Sequence, residues 1–427
     1  MQNADKTDSF PTLKNKSPWN YFENRIRNAA ELKRLLPLQP AEHKELIAEL
    51  NNPAQSEKRC IYIHIPFCTK SCSFCGYYKC INPEKQTVEK YIESLKQQIE
   101  KLSATPWVKD AYFNAMYFGG GTPTSLPFHL FSDLLNTFTE NLPLTADCEI
   151  TLESTINELD DDYLKLMPLC RVNRVSLGVQ SFHEKIRKQY TRQANYNDIA
   201  TKIEEIKKTG IENCCVDLIY NLEGLTMETW QRDLEFVKET KITGCSVYPL
   251  LPFPNAPLVK NSNFPKPKPE TEFSYFKLAD DFLTSIPNWE AITAVQYGHK
   301  KQGNARYVKM QADDSDVLAL GPGAGGKING LQYINAFSLA DFLEDISFPA
   351  EKTRIFGWQD GKESLAEKLK FFRKTFLPEN EFEKTFKNEK RFAGFLYENE
   401  LINREDSKIK LTQTGKYWAA NLAGLIF

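Results

Sequence analysis

Three cysteines with short, unequal spacings are the residues of this sequence best suited to chemistry. Cys68, Cys72 and Cys75 form a C-x3-C-x2-C motif in the segment YIHIPFCTKSCSFCGYYKC. The motif follows an apolar run, so the thiols are expected in the loop that leaves a β-strand. Three thiolates can bind three irons of a [4Fe–4S] cluster and leave the fourth iron open to a ligand. The spacing therefore predicts a catalytic iron–sulfur site.

Two other interpretations of the trio stay open from the sequence. Cys80 follows Cys75 by five residues and could supply a fourth thiolate, although this spacing matches neither common ferredoxin pattern. Zinc is the second possibility, but zinc sites favour a C-x2-C pair with a second pair or histidines, and no such partner is evident. The cluster with an open iron is therefore the favoured interpretation.

The elements that must position these cysteines alternate between apolar runs and amphipathic segments. Six apolar runs are candidate strands: residues 61–66, 115–118, 148–152, 172–179, 214–220 and 244–248. One intervening helix is predicted by the spacing of its buried face, Val88, Tyr91, Ile92, Leu95 and Ile99. Apolar strands that alternate with helices indicate a parallel sheet. Since six strands cannot close an eight-stranded barrel, we expect an α/β fold with a partial (β/α)6 barrel and functional residues at its carboxyl-terminal strand ends.

Changes in composition divide the chain into four expected regions. Residues 1–55 form a leading arm, 56–265 the barrel core, 266–350 a core extension, and 351–427 a helical, winged-helix-like C-terminal domain. The proline-rich stretch after residue 248 blocks regular structure, so it is either a linker or a loop that lines the barrel mouth. Four glycines within residues 321–326 allow close approach of the backbone to a ligand.

Charge and hydropathy exclude several functional classes. The 54 basic and 56 acidic residues give a formal net charge of -2, which argues against a nucleic-acid or membrane-surface binder. The polar N-terminus has no signal-peptide core, and no run of about 18 apolar residues could span a membrane. We therefore expect a cytoplasmic protein whose ten cysteines are metal ligands or buried thiols, not disulfides.

Four further motifs accompany the trio in a familiar order. They are YIHIPFC before it, YFGGGTPTSL at residues 117–126, NRVSLGVQSF at 173–182 and VDLIYNLEGLT at 216–226. The chain thereby resembles the radical S-adenosylmethionine (SAM) superfamily, in its coproporphyrinogen dehydrogenase/HemW branch. The resemblance implies a [4Fe–4S] cluster with SAM chelated at the open iron. Reduction of the cluster would then cleave SAM to methionine and a 5′-deoxyadenosyl radical. NLEG departs from the branch's frequent GLPGQT.

The resemblance implies SAM contacts in two loops. In the GGGTP segment, the backbone approaches the methionyl amino group because glycine has no Cβ. The contacts implied there are Gly119, Gly120, Gly121 and Thr122. Arg192, in YTRQ, would meet the SAM carboxylate, which suits a guanidinium.

Four more SAM contacts are implied at or near strand ends. Gln180 and Asp217 would hold the ribose hydroxyls, and Tyr62 would flank the cofactor. Glu153, in ITLEST, would lie near SAM. Glu153 and Asp217 are the expected catalytic residues, shared by two adjacent SAM molecules.

Further segments are similar to the HutW/ChuW-like group of anaerobic haem-degrading radical SAM methyltransferases. They are CGYYK after the trio, residues 321–335, RIFGW at 354–358 and LTQTGKYWAANLAGLI near the C-terminus. The similarity implies that a methylene group from a second SAM attacks a haem meso carbon, which opens the macrocycle to anaerobilin and frees the iron. It also implies a flavodoxin- or ferredoxin-type electron donor and a tetrapyrrole acceptor or reductase as partners. Residues 321–326 are the candidate approach for the second SAM or haem.

Two other members of the branch stay open as alternatives. A coproporphyrinogen III dehydrogenase has a cysteine where this sequence has Tyr77, and a HemW-like haem-binding chaperone usually has CDF after the trio, where Gly76 and Tyr77 stand here. Among the histidines, His64 is expected to be structural. His299, beside Lys300 and Lys301, is either a haem contact or a solvated loop residue.

Overall fold

A computed structural model describes residues 17–27, 29–211, 213–261, 267–301 and 305–426. Residues 1–16 of the predicted arm and the predicted boundary between residues 265 and 266 lie outside these ranges. None of the described helices is long and apolar enough to cross a membrane.

The described strands belong mainly to one large mixed sheet. They are β1 (Leu38–Ala41), β2 (Arg59–Ile65), β3 (Phe67–Cys68), β4 (Cys80–Ile81), β5 (Phe113–Gly120), β6 (Leu144–Ser154), β7 (Arg174–Gln180), β8 (Asn213–Tyr220), β9 (Gly244–Pro249), β10 (Trp289–Ala291), β11 (Gln296–His299), β12 (Asp316–Leu320), β13 (Gly325–Ile328), β14 (Leu331–Ile334), β15 (Arg354–Trp358), β16 (Phe376–Pro378), β17 (Ile402–Glu405) and β18 (Lys408–Leu411). Thirteen of them form the sheet β1-β15-β14-β13-β12-β2-β5-β6-β7-β8-β9-β11-β10.

The described helices cover this sheet or build the C-terminal region. They are α1 (Pro18–Tyr21), α2 (Ala29–Lys33), α3 (His43–Leu50), α4 (Lys85–Ser103), α5 (Pro106–Lys109), α6 (Phe128–Asn141), α7 (Asp161–Leu166), α8 (Glu184–Gln189), α9 (Tyr196–Lys208), α10 (Met227–Glu239), α11 (Pro257–Asn261), α12 (Pro269–Ser285), α13 (Arg306–Ala312), α14 (Leu339–Glu344), α15 (Leu365–Lys374), α16 (Glu379–Thr385), α17 (Lys390–Glu398), α18 (Gln413–Tyr417) and α19 (Ala419–Gly424).

The parallel core confirms the predicted partial barrel. Strands β2, β5, β6, β7, β8 and β9 each overlap one of the six predicted runs and pair in parallel in that order. Strand β12 adds a parallel neighbour to β2, and antiparallel strands extend both edges. The core strands are almost continuously buried because helices cover one face and side chains fill the other. Their carboxyl-terminal ends therefore meet at one mouth.

Local sequence signals explain where several covering helices begin. Helix α4 buries the predicted face, including Tyr91 and Leu95. Asn195 caps helix α9 and Thr226 caps α10, and each side chain accepts a backbone N–H of the first turn. Pro269 opens α12, where its missing N–H costs no hydrogen bond.

The C-terminal region is helical and carries a small antiparallel sheet of order β16-β18-β17, as a winged-helix-like unit requires. The described part of the arm joins this region to the core. The Arg25 guanidinium donates to Glu272 Oε1 of α12 at 2.9 Å and to the Tyr417 carbonyl at 2.8 Å. Strand β1 pairs antiparallel with β15 at the edge of the large sheet.

Candidate active site

A cavity of about 400 Å³ opens at the carboxyl-terminal ends of the core strands. Its volume falls within the usual range for small-molecule sites. The sequence-predicted residues that line it are Tyr62, Cys68, Cys72, Cys75, Gly120, Gly121, Thr122, Glu153, Gln180, Arg192 and Asp217. Gly119 is the predicted residue that is not part of the lining. The fold thus brings together residues that are far apart in the sequence.

The three cysteines approach the cavity from strand β3 and the loop that follows it. Cys68 is buried, and its Sγ lies 3.7 Å from Thr122 Oγ1. The Cys75 N–H donates to the Cys72 carbonyl at 3.2 Å, which turns the loop back on itself. Within the described ranges, no three His, Cys, Asp or Glu side chains converge as ligands of one metal ion would. A [4Fe–4S] cube takes each thiolate at a different iron, so its ligands surround a larger volume.

Cys80 lies apart from the trio. It belongs to β4 and pairs with Phe67, the residue before Cys68. Neighbouring residues in register share a face of a sheet, and the Phe67 ring packs on Tyr91 in the core, with ring centroids 5.3 Å apart. Cys80 packs against the same core and does not line the cavity. This placement favours three cluster ligands over four.

The glycine-rich turn at the end of β5 packs closely against the chain that leads into the cysteine loop. A Cβ on Gly121 would lie 2.4 Å from the Phe67 carbonyl oxygen, and Gly120 has a φ of +117°. The Gly121 and Thr122 N–H groups donate to Ile65 and Phe67 carbonyls at 2.8 and 2.7 Å. The glycines therefore allow the turn to support the loop directly.

Glu153, on β6, is hydrogen bonded to the neighbouring strand β5. Its Oε1 accepts from the Tyr117 hydroxyl at 2.6 Å, and its Oε2 accepts from the Gly120 N–H at 3.3 Å. The absent side chain of Gly119 leaves room for this carboxylate, since a Cβ there would lie 3.0 Å from Oε2. Burial raises the pKa of Glu153 to about 7, although the hydrogen bond from Tyr117 acts in the opposite direction.

Asp217, on β8, faces the same cavity. Burial raises the pKa of Asp217, whereas a hydrogen bond with Ser246 and the positive charges of Arg174 and Arg192 oppose the rise. Ser246 is its register partner on β9. The two predicted carboxylates therefore lie on different strands within one electrostatically coupled site.

Gln180 and Arg192 line the cavity, and each carries a buried polar atom without a partner. Gln180 ends β7 with a φ of +67°, an uncommon conformation for a residue with a Cβ. Gln180 Oε1 and Arg192 Nε are buried and have no hydrogen-bond partner in the structure. Both side chains lie over Gly178, where a Cβ would be 3.1 Å from Gln180 Nε2 and 3.5 Å from an Arg192 nitrogen. Buried polar groups are normally paired, so these atoms indicate a bound polar ligand.

Tyr62 is oriented by His64. Its hydroxyl donates to His64 Nδ1 at 3.2 Å, and His64 Nε2 donates to the Tyr78 carbonyl at 3.3 Å. Burial lowers the pKa of His64 to about 4, so the ring is neutral and can accept from Tyr62. This agrees with the structural role predicted for His64.

Several site residues were missed by sequence reasoning. Tyr117, Gly178, Ser246 and Tyr248 all lie on core strands near the predicted residues. The sequence shows only that these residues belong to apolar runs close to the predicted site residues. It does not show on which face of the sheet each side chain lies. The register supplies this information because Tyr117 pairs with Tyr62 across β5 and β2.

The proline-rich segment after β9 forms part of the mouth, as one of its two predicted interpretations required. Pro249, the last residue of β9, and Leu250, Leu251 and Phe253 after it line the cavity. The Leu258 N–H donates to the Ser73 carbonyl of the cysteine loop at 2.8 Å. The segment therefore closes one side of the site.

Two other predicted ligand contacts lie elsewhere. Strand β11 runs antiparallel to β9, and Gly298 pairs with Gly244 at the beginning of β9. This places His299 at the end of the barrel opposite the mouth, which argues against a haem contact, one of its two predicted interpretations. Residues 321–326 do not line the cavity. Gly321 instead lets the chain pack against His64 and Tyr91, since a Cβ would lie 2.6 and 2.5 Å from their oxygens.

The fold and its motifs match known proteins. Residues 62–237 match the radical SAM superfamily model. Anaerobilin synthase of Escherichia coli O157:H7 is 28% identical over 387 residues, which cover 87% of this chain and 84% of that protein. Heme chaperone HemW of Lactococcus lactis subsp. lactis (strain IL1403) is 28% identical over 367 residues, with coverages of 83% and 93%. The structure of coproporphyrinogen III oxidase (HemN) from Escherichia coli covers 95% of this chain and 96% of its own, with a TM-score of 0.78 at 22% identity, which shows a shared fold.

The site is suited to the cofactors that this family implies. The cysteine trio offers three thiol ligands, and the unpaired atoms of Gln180 and Arg192 offer an acceptor and a donor to a polar ligand beside them. The family implies a [4Fe–4S] cluster and SAM. Residues 62–237 of the chain are a radical SAM domain, and the chain is similar over most of its length to proteins of the HemN/HemW-like branch.

Proposed function

We propose that this protein is a radical SAM C-methyltransferase that opens haem without oxygen. It transfers a SAM-derived methyl or methylene group to a meso carbon, converts the macrocycle to the linear tetrapyrrole anaerobilin and releases the iron. The observation that carries the proposal is the lining of one cavity by three cysteines, two strand-end carboxylates and the aromatic residue Tyr77 at the mouth. The match with anaerobilin synthase supports it, because that match extends well beyond the radical SAM region.

The chain's own residues would hold the cofactors in this cavity. Cys68, Cys72 and Cys75 would ligate the cluster, and Gln180 and Arg192 would bind SAM. When bound, the cluster and SAM supply carbon-centred radical chemistry that begins with one-electron reduction. The flavodoxin- or ferredoxin-type electron donor belongs to the proposal, as does the binding of two SAM molecules.

Glu153 and Asp217 would position the charged and polar groups of the bound SAM molecules. The Tyr117 and Gly120 hydrogen bonds fix the Glu153 carboxylate, and its pKa of about 7 allows it to exchange a proton near neutral pH. Asp217 is fixed by Ser246 and lies in the field of Arg192. Burial of both carboxylates strengthens their interaction with a cationic ligand such as SAM.

A HemW-like haem-binding chaperone is the second candidate. It is favoured by the HemW match, which covers 93% of that protein. A coproporphyrinogen III dehydrogenase is the third, supported by the 27% identity to the oxygen-independent coproporphyrinogen III oxidase of Escherichia coli (strain K12) over 302 residues. Tyr77 argues against the third candidate, because its ring occupies the mouth where a further thiol was expected.

The test offers haem and coproporphyrinogen separately to the anaerobically reconstituted protein, with SAM and a chemical reductant. We expect loss of the haem absorbance, a methylated linear tetrapyrrole by mass spectrometry and released iron. Cys72→Ala is the negative control because it removes a cluster ligand. Haem binding without SAM-dependent turnover would instead select the chaperone, and decarboxylation of coproporphyrinogen would select the dehydrogenase.

A further inference from the structure

Two aromatic rings from separate segments meet at the mouth of the cavity. Tyr77 follows the last cluster cysteine, and Phe253 lies in the segment after β9. Their ring centroids are 5.6 Å apart with an interplanar angle of 50°. Both residues line the cavity, and Tyr77 is 63% exposed. A ring with this exposure gains little from burial in the fold, so its contact surface is free for a ligand.

The backbone holds this aromatic shelf, defined as Tyr77 and Phe253, in place. Gly76 has no side chain where Phe253 packs, and a Cβ there would lie 2.1 Å from the Phe253 Cβ. The Phe253 N–H donates to the Leu251 carbonyl at 2.9 Å, and Leu258 anchors the segment to Ser73. Since both sides are fixed before a ligand arrives, binding orders little further chain.

Two lysines place positive charge around the shelf. Lys70 and Lys79 line the cavity, and Lys79 Nζ donates to the carbonyls of Cys75 and Tyr77 at 2.9 and 3.4 Å. Neither lysine pairs with a carboxylate in the part of the chain that the structure describes. Glu158, on the same rim, accepts a hydrogen bond from the Thr69 hydroxyl. The mouth therefore combines apolar rings with two lysines that form no ion pair among the described residues.

We propose that the aromatic shelf binds the face of the tetrapyrrole and that Lys70 and Lys79 bind its propionates. The assignment rests on the proposed function, since it names the substrate site of the same cavity. A porphyrin is flat and apolar across its face and carries carboxylates on one edge. Stacking on Tyr77 with edge contact to Phe253 uses the first property, and charge-assisted hydrogen bonds to the lysines use the second. Tyr77 is then a specificity-determining residue at the mouth.

The test measures binding of zinc protoporphyrin IX and of its dimethyl ester to the reconstituted holoprotein, by porphyrin fluorescence without SAM or reductant. We expect Tyr77→Ala and Phe253→Ala to raise the Kd of both porphyrins about tenfold. Tyr77→Phe keeps the ring and should retain tight binding. The control is Tyr112→Ala, which removes a tyrosine of similar exposure outside the cavity. Iron content and circular dichroism of each variant check that it is folded.

The lysines are tested by the difference between the two porphyrins. Lys70→Gln combined with Lys79→Gln should weaken binding of the free acid about tenfold and leave binding of the ester unchanged, because the ester has no carboxylates. Unchanged Kd values for the two alanine variants, or equal weakening of acid and ester by the lysine variant, would overturn the assignment. Haem turnover with unchanged porphyrin affinity in these variants would reject the shelf and retain the proposed function. Porphyrin binding that depends on the shelf residues, without haem turnover, would retain the shelf and reject the proposed function.

Discussion

The Tyr117 hydroxyl on β5 donates a 2.6 Å hydrogen bond to Glu153 on β6. This contact joins the adjacent strands β5 and β6 and favours the ionised form of the carboxylate. Burial is the larger effect and raises the pKa of Glu153 to about 7, and the nearby charge of Asp217 adds to the rise. The Tyr117 hydroxyl is the largest of the contributions that oppose this rise in pKa, which makes Tyr117 a positioning residue.

Replacing this phenol should shift the pH dependence of SAM cleavage. Tyr117→Phe removes a donor that favours the carboxylate, so the pKa of Glu153 rises further. Because SAM is cationic, the ionised carboxylate is the form that favours its binding. We expect the midpoint of 5′-deoxyadenosine release against pH to rise by about one unit, with activity recovered in alkali. Glu153→Gln should lack this titration, and a Tyr117→Phe profile that coincides with the parent's would refute the role of the phenol.

The same carboxylate should make stability depend on pH. The pKa of Glu153 in the folded protein, about 7, exceeds the ordinary value of 4.5, so the folded state binds the proton more tightly. The free energy of unfolding must therefore fall as pH rises through the window between these values. Glu153→Gln removes this loss, so its Tm should exceed the parent's on the alkaline side and approach it on the acidic side. Thermal unfolding of the SAM-free holoprotein measures both, and a Tm difference independent of pH would contradict the linkage.

Replacing Cys72 and replacing Cys80 should have different effects on the iron–sulfur cluster. Cys72 lines the cavity, whereas Cys80 pairs with Phe67 on the face of β3 turned to the core. After anaerobic reconstitution, Cys72→Ala should lose the iron and sulfide of the cluster. Cys80→Ala should retain the parent's content, because it removes no ligand. Loss of the cluster in both variants would show that Cys80 is a fourth ligand after all.

The core strands could be predicted because each is a compact apolar run. The run at 115–118 lies within β5, Phe113–Gly120, which adds Phe113, Asn114, Gly119 and Gly120 to the predicted run. The edge strands carry no such signal: β11 reads QYGH and looks like a polar loop. Its antiparallel direction, set by pairing with β9, is what placed His299 away from the mouth. The direction of a strand depends on tertiary contacts, which cannot be predicted from its local sequence.

Site residues that are close together in the sequence could be predicted. Contacts between residues on different strands could not, because they depend on how the strands pair. The cysteine spacing is local, so the trio could be found directly. The contact between Tyr117 and Glu153 joins residues 36 positions apart and requires the pairing of β5 with β6. The bond between Arg25 and Glu272 spans 247 positions and depends on how the arm crosses α12. Motif resemblance supplied the candidate residues, whereas their partners came only from the fold.

The glycine turn offers a steric test with a matched control. Gly121→Ala would place a Cβ 2.4 Å from the Phe67 carbonyl oxygen, a backbone atom that cannot move alone. We expect a loss of about 1–3 kcal/mol in the free energy of unfolding and a reduced cluster content. Gly394→Ala, in helix α17, has no atom within 4 Å of the new Cβ and should leave stability equal or slightly higher. Denaturant unfolding and iron analysis of both variants make the comparison, and equal behaviour would contradict the close approach.

Arg192 should decide how tightly SAM binds. Its Nε is buried without a hydrogen-bond partner, and its charge lies near Cys72 and Asp217. Arg192→Lys keeps the charge but loses the planar fork that pairs with a carboxylate, so we expect the Kd for SAM to rise about tenfold.

Isothermal titration of SAM into the reconstituted protein, without reductant, measures this change apart from turnover. Arg171→Lys is the matched control because Arg171 is exposed and does not line the cavity. Its Kd for SAM should equal the parent's. If Arg192→Lys also binds SAM as tightly as the parent, the guanidinium does not contact the cofactor. In that case its unpaired Nε must serve another ligand of the cavity, such as the substrate.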